Sequence, residues 1–124
     1  MTEDRSEDSK YISWAKAVKV RDGFCCVVCG ASGDRVYLES HHKNSWDWDI
    51  NSRYSLDNGV TLCSGGSYNE GSHCHQQFHK IFGYGGNHEY QFEQFKKIYK
   101  IFKNLTSSEP KIDASLIVSG ENNK

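Results

Sequence analysis

The sequence predicts a small α+β domain in which two short strands are accompanied by helices at the N- and C-terminal ends. The chain has 124 residues, enough for one small domain. Helical and strand-like apolar patterns alternate along it, and no internal repeat is present. Only 36% of the residues are apolar, whereas five cysteines lie in turn-rich segments. We therefore expect a thin core and an additional restraint on the fold.

Three helices are predicted from apolar periodicity. The first begins at Ser9, taken as its N-cap, and ends near Asp22, with apolar residues at i, i+3, i+4 and i+7: Tyr11, Trp14, Ala15 and Val18. The second covers residues 74–82. The C-terminal helix covers residues 89–103 and has an apolar face that includes Phe92 and Phe95.

Residues 36–41 and 59–63 are predicted as strands because they are rich in β-branched and aromatic side chains. Between them lies a polar loop with a helical turn at residues 53–56, and a Gly/Ser-rich flexible insertion follows at 64–72. We divide the chain into a disordered acidic leader (1–8), one domain (9–103) and a polar tail (104–124).

Charge and hydropathy narrow the class of protein. The net charge is −1, but residues 9–103 carry +3, which is compatible with a partner that bears phosphates. No apolar run is long enough to span a membrane, and the N-terminus lacks a signal-peptide pattern. We therefore expect a cytoplasmic protein without a membrane partner, whose cysteines are reduced.

Four cysteines have the spacing of a zinc site. Cys26 and Cys29 form a C-x-x-C pair, and Cys63 and Cys74 form a second pair with a wide gap. Cys25 competes with Cys26, but only Cys26 gives the usual two-residue gap, so we assign Cys25 to the core. The alternatives are five buried cysteines without a metal and, less favoured, a redox C-x-x-C.

Five of the six histidines cluster near the predicted strand ends and the second helix: His41, His42, His73, His75 and His79. His75 and His79 lie four residues apart, so a helix places both on one face. Adjacent strand residues point to opposite sides, so His41 can join them as a ligand while His42 remains free as a general base. His73 is a possible substitute ligand if the helix starts differently.

Several segments, read in order, resemble one known family. They are Arg21-Asp22-Gly23-Phe24, Cys26-x-x-Cys29-Gly30, residues 38–42 (LESHH), residues 57–63 (DNGVTLC) and Cys74-His75-x-x-x-His79. Together they resemble the zinc-knuckle branch of the HNH endonucleases, over about residues 11–82. The Gly-rich segment at 83–87, followed by a lysine-bearing helix, is similar to phage-borne, homing-type members. The gap between Cys63 and Cys74 is wider than in most relatives.

The resemblance implies the ββα-metal fold, also called the His-Me finger, and a role for each matching residue. His41, His75 and His79 match the ligands of the catalytic metal, and His42 matches the general base. Asn58 matches the middle Asn, which ties the loop and orients that base. Cys26, Cys29, Cys63 and Cys74 match the structural zinc knuckles.

The predicted function is metal-dependent hydrolysis of DNA phosphodiester bonds, leaving 5′-phosphate and 3′-hydroxyl ends. The catalytic ion is Mg²⁺, Mn²⁺, Ni²⁺ or Zn²⁺, and an all-imidazole ligand set favours the transition metals. A homodimer or a phage or host protein is the expected partner besides DNA, inside a phage-infected or bacterial cell. Candidate phosphate contacts are Lys43, Arg53, Lys80, Lys96, Lys97 and Lys100. The alternative is a non-catalytic zinc module that binds nucleic acid or protein.

Overall fold

The computed structural model describes Arg5, residues 7–64 and residues 73–106. It contains three helices and a two-stranded sheet within these residues, which agrees with a small mixed α/β fold. The predicted flexible insertion lies outside the described residues except for Ser64. Most of the predicted leader and the tail from residue 107 also lie outside them.

Helix α1 runs from Ser9 to Arg21 and buries Trp14, Ala15 and Val18, as the apolar periodicity predicts. The predicted N-cap was wrong by one residue. The Asp8 carboxylate accepts hydrogen bonds from the backbone N–H groups of Lys10 and Tyr11, so Asp8 is the cap. Asp8 also accepts a hydrogen bond from the Tyr54 hydroxyl. The predicted leader is therefore too long at its C-terminal end.

Strands β1 (Tyr37–His42) and β2 (Gly59–Ser64) pair antiparallel, with His42 opposite Gly59 and His41 opposite Val60. Both are within one residue of the predicted bounds. Side chains alternate between the two faces of the sheet. Ser40 donates to the Ala15 carbonyl oxygen, so its face lies against α1. The opposite face carries His41, which contacts Phe78 of the helix that follows β2.

Close packing between α1 and β2 requires a glycine. A Cβ at Gly59 would lie 2.5 Å from Val18 Cγ2 and 2.6 Å from Trp14 Cζ2. The end of α1 is tied to the same strand, because Arg21 donates to the carbonyl oxygen of Gly59 at 2.7 Å. Asp22 accepts from the Thr61 N–H at 2.9 Å. Burial alone would raise the pKa of Asp22, but the hydrogen bonds from Arg21 and Thr61 outweigh it and lower the pKa.

The loop between the strands is organised differently from the prediction. Instead of one helical turn at residues 53–56, it contains two short 3₁₀ turns, Ile50–Ser52 and Leu56–Asn58. The second turn brings the buried Asn58 back towards the end of β1, where Lys43 N–H donates to the Asn58 carbonyl oxygen at 2.8 Å.

Helix α2 (Cys74–Phe82) has the predicted bounds, and α3 (Glu89–Thr106) extends three residues into the predicted tail. Phe78 of α2 and Phe92 and Phe95 of α3 are buried together with Val60 and Leu62 of β2. A second, smaller cluster is formed by the buried residues of α1. None of the described helices is long and apolar enough to cross a membrane.

Candidate active site

Four cysteines come together where the segment between α1 and β1, the end of β2 and the start of α2 meet. One sulfur from each of Cys26, Cys29, Cys63 and Cys74 lies within 4.8 Å of the others, and the Cys29 and Cys63 sulfurs are 3.6 Å apart. Four sulfurs on one tetrahedral zinc are about 3.8 Å apart, as expected for Zn–S bonds of about 2.3 Å. The predicted set of four cysteines is brought together and could hold a zinc ion.

Backbone and thiol hydrogen bonds connect the cysteines of this cluster and favour a thiolate at Cys26, whereas the pKa values of Cys63 and Cys74 are raised. The N–H of Cys29 points to the Cys26 sulfur at 3.5 Å, and the N–H of Cys74 points to the Cys63 sulfur at 3.3 Å. The pKa of Cys26 is lowered because the thiols of Cys63 and Cys74 hydrogen-bond to its sulfur. The pKa of Cys74 is raised, since it is a neutral donor in the same cluster. Thiolates are the zinc-binding form.

Cys25 lies outside this cluster. Its thiol points to the Gly23 carbonyl oxygen at 3.3 Å, and its side chain is only half-buried. The two-residue gap therefore selected the correct cysteine for the cluster. The assignment of Cys25 to the core was wrong, because the left-handed backbone at Gly23 and Phe24 turns this residue towards the surface.

Three histidines form a second cluster. One ring nitrogen from each of His41, His75 and His79 lies within 4.8 Å of the other two. His41 comes from the buried end of β1, whereas His75 and His79 share one face of α2, as their spacing predicts. His73 precedes the helix in a left-handed conformation and is not part of this cluster. His88 is elsewhere, against Trp48.

The hydrogen bonds of these histidines engage Nδ1 of His75 and His79, which leaves the Nε2 atoms available to bind a cation. His75 donates from Nδ1 to the Glu39 carboxylate, and His79 donates from Nδ1 to the Gly83 carbonyl oxygen at 2.9 Å. When both rings are neutral, these bonds leave a lone pair on each Nε2, and the two Nε2 atoms face each other at 3.2 Å. Nε2 of His41 is buried and has no hydrogen-bond partner among the described residues. A metal ion bound to these nitrogens would satisfy all three rings.

Burial favours the neutral forms of His41 and His79. Burial lowers the pKa of His41 well below its usual value, and the neighbouring His75 and His79 lower it further. Burial is also the main cause that lowers the pKa of His79. The hydrogen bond from His75 lowers the pKa of Glu39, so this carboxylate stays charged and can orient its histidine. Neutral imidazole is the form that binds metals.

His42 lies on the other face of β1. Its ring stacks on Trp14, with 3.9 Å between ring centroids, and its Nε2 donates to the Arg53 carbonyl oxygen at 2.8 Å. Nδ1 is therefore the nitrogen able to accept a proton. Burial lowers the pKa of His42 to about 4, helped by the charges of Arg5 and Arg53 and opposed by the hydrogen bond to the Arg53 carbonyl.

Asn58 ties together the loop that holds His42 in place. Its Oδ1 accepts from the Asn44 N–H at 2.8 Å, and its Nδ2 donates to the carbonyl oxygens of Asn44 and Ser52 at 2.9 and 3.2 Å. These bonds connect both sides of the loop, so Asn58 acts on His42 through the path of the loop.

The histidines line one cleft of about 1060 Å³. Cleft residues predicted from the sequence are His41, His42, His75, His79 and Arg53. Of the six predicted phosphate contacts, only Arg53 lies there. Lys43 pairs with Glu89 and Lys96 pairs with Glu93, whereas Lys80, Lys97 and Lys100 are exposed on the outer faces of α2 and α3.

The cleft residues that the sequence analysis missed include Arg5, Glu39, Asp47 and Tyr84. Arg5 and Arg53 both stack on Trp46, each with its guanidinium carbon 4.3 Å from a ring centroid. Glu39 could have been found, because it lies two residues before His41 and therefore on the same strand face. Arg5 carried no such signal, since its leader is acidic and polar. Tyr84 lies in a glycine-rich segment, and this composition predicts only the end of a helix.

Comparisons with family models, with curated proteins and with solved structures find no match.

We expect the two adjacent cysteines to differ sharply in their effect on bound zinc. Cys26→Ser should remove tightly bound zinc and destabilise the fold by several kcal/mol, because a structural zinc contributes directly to folding. Cys25→Ser should retain one zinc per chain and its thermal midpoint. Zinc content by mass spectrometry and thermal unfolding of both variants check this. Loss of zinc from Cys25→Ser alone would contradict the assignment.

Glu39→Gln should weaken binding of a divalent ion at the histidine cluster by about 10- to 100-fold, because the charged acceptor that orients His75 is lost. Calorimetric titration of the zinc-loaded protein with Ni²⁺ measures this. Glu93→Gln is the matched control, since Glu93 is an exposed carboxylate paired with Lys96 outside the cleft. Equal Ni²⁺ affinity for wild type and Glu39→Gln would contradict the assigned role of Glu39.

Proposed function

We propose that the chain is a metal-dependent endonuclease of the HNH type that hydrolyses DNA phosphodiester bonds. The single observation that carries this proposal is the pairing of two histidines with different roles. His41 lies in a cluster suited to a cation, and the next residue, His42, lies outside that cluster but lines the same cleft. A metal site with an adjacent free base is typical of hydrolytic catalysis.

The two metal sites would have separate roles. A zinc ion held by Cys26, Cys29, Cys63 and Cys74 would be structural, because four thiolates complete its coordination. A divalent ion held by His41, His75 and His79 would act as a Lewis acid that stabilises negative charge on the phosphate. Three protein ligands leave room for exogenous ones, which distinguishes the second site from the first.

His42 serves as the general base in this proposal. Its Nε2–H is engaged by the Arg53 carbonyl, so Nδ1 takes a proton from the attacking water. The water oxygen bonds to phosphorus, the P–O3′ bond breaks, and the 3′ oxygen takes a proton from solvent. The low pKa keeps the ring neutral at neutral pH, and the negative charge of a bound phosphate raises that pKa towards the working range.

Charge in the cleft suits a phosphate-bearing substrate. Arg5 and Arg53 project along the wall that also contains His42, and neither pairs with a carboxylate among the described residues. Stacking on Trp46 holds both guanidinium groups in place at a small cost in side-chain entropy. Arginine is well suited to binding phosphate oxygens through two parallel hydrogen bonds.

A zinc module that only binds nucleic acid or protein is the alternative function. The cysteine cluster alone would stabilise such a module. It gives no reason for the lone pairs that face each other between His75 and His79, or for the partnerless Nε2 of His41. The histidine cluster therefore favours the enzyme over the binding module.

Removing the base should abolish cleavage but leave zinc bound. We expect the zinc-loaded wild type to nick supercoiled plasmid when Mg²⁺, Mn²⁺, Ni²⁺ or Zn²⁺ is added. His42→Ala and His42→Gln should reduce the rate at least about 100-fold, because general base catalysis contributes on that order. Gel separation of supercoiled and open-circular plasmid measures the rate.

The matched control is His88→Ala, an exposed histidine outside the cleft, which should cleave like the wild type. Thermal unfolding and zinc content show whether the His42 variants remain folded, since His42 also packs on Trp14. The proposal fails if the zinc-loaded wild type cuts with none of the ions. It also fails if folded His42 variants retain the wild-type rate.

A further inference from the structure

The Tyr84 side chain is unusual in being both highly exposed and well positioned. It is 80% exposed, yet its ring stacks on the His79 ring with 4.2 Å between centroids and 10° between planes. One face of the ring is therefore covered by a residue of the histidine cluster. The high exposure leaves the rest of the ring open to solvent at the edge of the cleft.

The loop that carries Tyr84 is held from two sides. The N–H of Gly86 points to both carboxylate oxygens of Asp47, at 3.0 and 3.2 Å. The buried Asn87 donates its N–H to Ser45 Oγ at 2.6 Å. Gly83, Gly85 and Gly86 all adopt left-handed backbone conformations, with φ between 64° and 84°, which glycine adopts without strain. The ring is thus fixed by its loop as well as by stacking.

An exposed aromatic ring fixed beside a candidate metal site is suited to bind a planar ligand by stacking. The planar groups of a nucleic acid are its bases, and the two bases that flank the phosphate that is cut are joined to it through their sugars. Stacking on a side chain requires the face of a base, and in a duplex both faces are covered by neighbouring bases. A base that stacks on Tyr84 must therefore be unpaired and unstacked on at least one side.

We propose that Tyr84 is a stacking platform for an unpaired base beside the scissile phosphate, so that the substrate is single-stranded or locally unpaired nucleic acid. This inference rests on the proposed function, because it places the phosphate at the histidine cluster. Arg5 and Arg53, which stack on Trp46 in the same cleft, contribute positive charge that attracts phosphates. Tyr84 favours unpaired over duplex nucleic acid.

The test measures binding separately from cleavage. Fluorescence anisotropy is recorded with zinc-loaded full-length protein and no other divalent ion, using a labelled single-stranded 12-mer and the matching duplex. Gel analysis verifies that each oligonucleotide stays intact. We expect Tyr84→Ala to bind the single strand about tenfold more weakly, in line with the usual loss when one base–aromatic stack is removed. Affinity for the duplex should be unchanged.

Two control variants separate stacking from other effects. Tyr84→Phe keeps the ring and should restore affinity for the single strand. Tyr90→Ala removes an exposed tyrosine that also stacks on a histidine, His88, but lies outside the cleft. It should leave both affinities unchanged. Fluorescence of 2-aminopurine in the single strand should be quenched by wild type and Tyr84→Phe and less by Tyr84→Ala.

A purely supporting role for Tyr84 gives a different result. If Tyr84→Ala weakens Ni²⁺ binding at the histidine cluster and lowers both oligonucleotide affinities equally, Tyr84 only holds His79 and the inference is wrong. It is also wrong if Tyr84→Ala binds both oligonucleotides like the wild type.

Failure of this inference and failure of the proposed function are distinguishable. Wild-type protein that cuts plasmid, together with unchanged single-strand binding by Tyr84→Ala, refutes the platform and leaves the nuclease intact. Wild-type protein that binds single strands through Tyr84 but cuts nothing with any ion supports base stacking on Tyr84. It refutes the nuclease and the placement of that base beside a scissile phosphate.

Discussion

The structure depends on the junction at which four cysteines join the end of β2 to the start of α2. Cys63 is the penultimate residue of β2 and Cys74 is the first residue of α2, so one cluster fixes the relative position of both elements. The apolar core is small and consists of three phenylalanines from α2 and α3 packed with Val60 and Leu62 of β2 and three cysteines. A restraint at this junction determines where the remainder of α2 points, including His75 and His79.

The antiparallel strand pair places two adjacent histidines on opposite faces of the sheet. His41 faces α2 and enters the cluster with that helix, whereas His42 faces Trp14 of α1. Because successive strand residues alternate, a shift of one residue in register would exchange their environments. Gly59 and the ties from Arg21 and Asp22 hold this register from the α1 side. Packing of α1 against the sheet therefore determines the different environments of His41 and His42.

Much of this arrangement could be predicted from the sequence, because its signals are local. The C-x-x-C spacing, the i, i+4 histidines of α2 and the alternation of His41 and His42 each follow from the geometry of one element. The hydrogen-bond acceptors of the ligand histidines were harder to find. Glu39 and the Gly83 carbonyl come from different elements, and only the folded chain shows which histidine each one contacts.

The cleft residues Arg5 and Tyr84 were not predicted for a different reason. Arg5 and Tyr84 lie in segments whose composition suggests disorder or a break. Arg5 nevertheless stacks on the distant Trp46, and the loop of Tyr84 is held by Asp47 and Ser45. Asp8 shows the same effect at smaller scale, since it caps α1 and also accepts a hydrogen bond from Tyr54. Composition describes a segment in isolation and does not register contacts made across the fold.

The central claim is that one small chain carries two metal sites of different chemistry, joined by α2. The most direct measurement is X-ray absorption on the full chain loaded with one equivalent of zinc and then one of cobalt. We expect zinc to have four sulfur neighbours at about 2.3 Å, and cobalt to have only nitrogen and oxygen neighbours. Nitrogen ligands at zinc, or sulfur ligands at cobalt, would contradict the separation of the two sites.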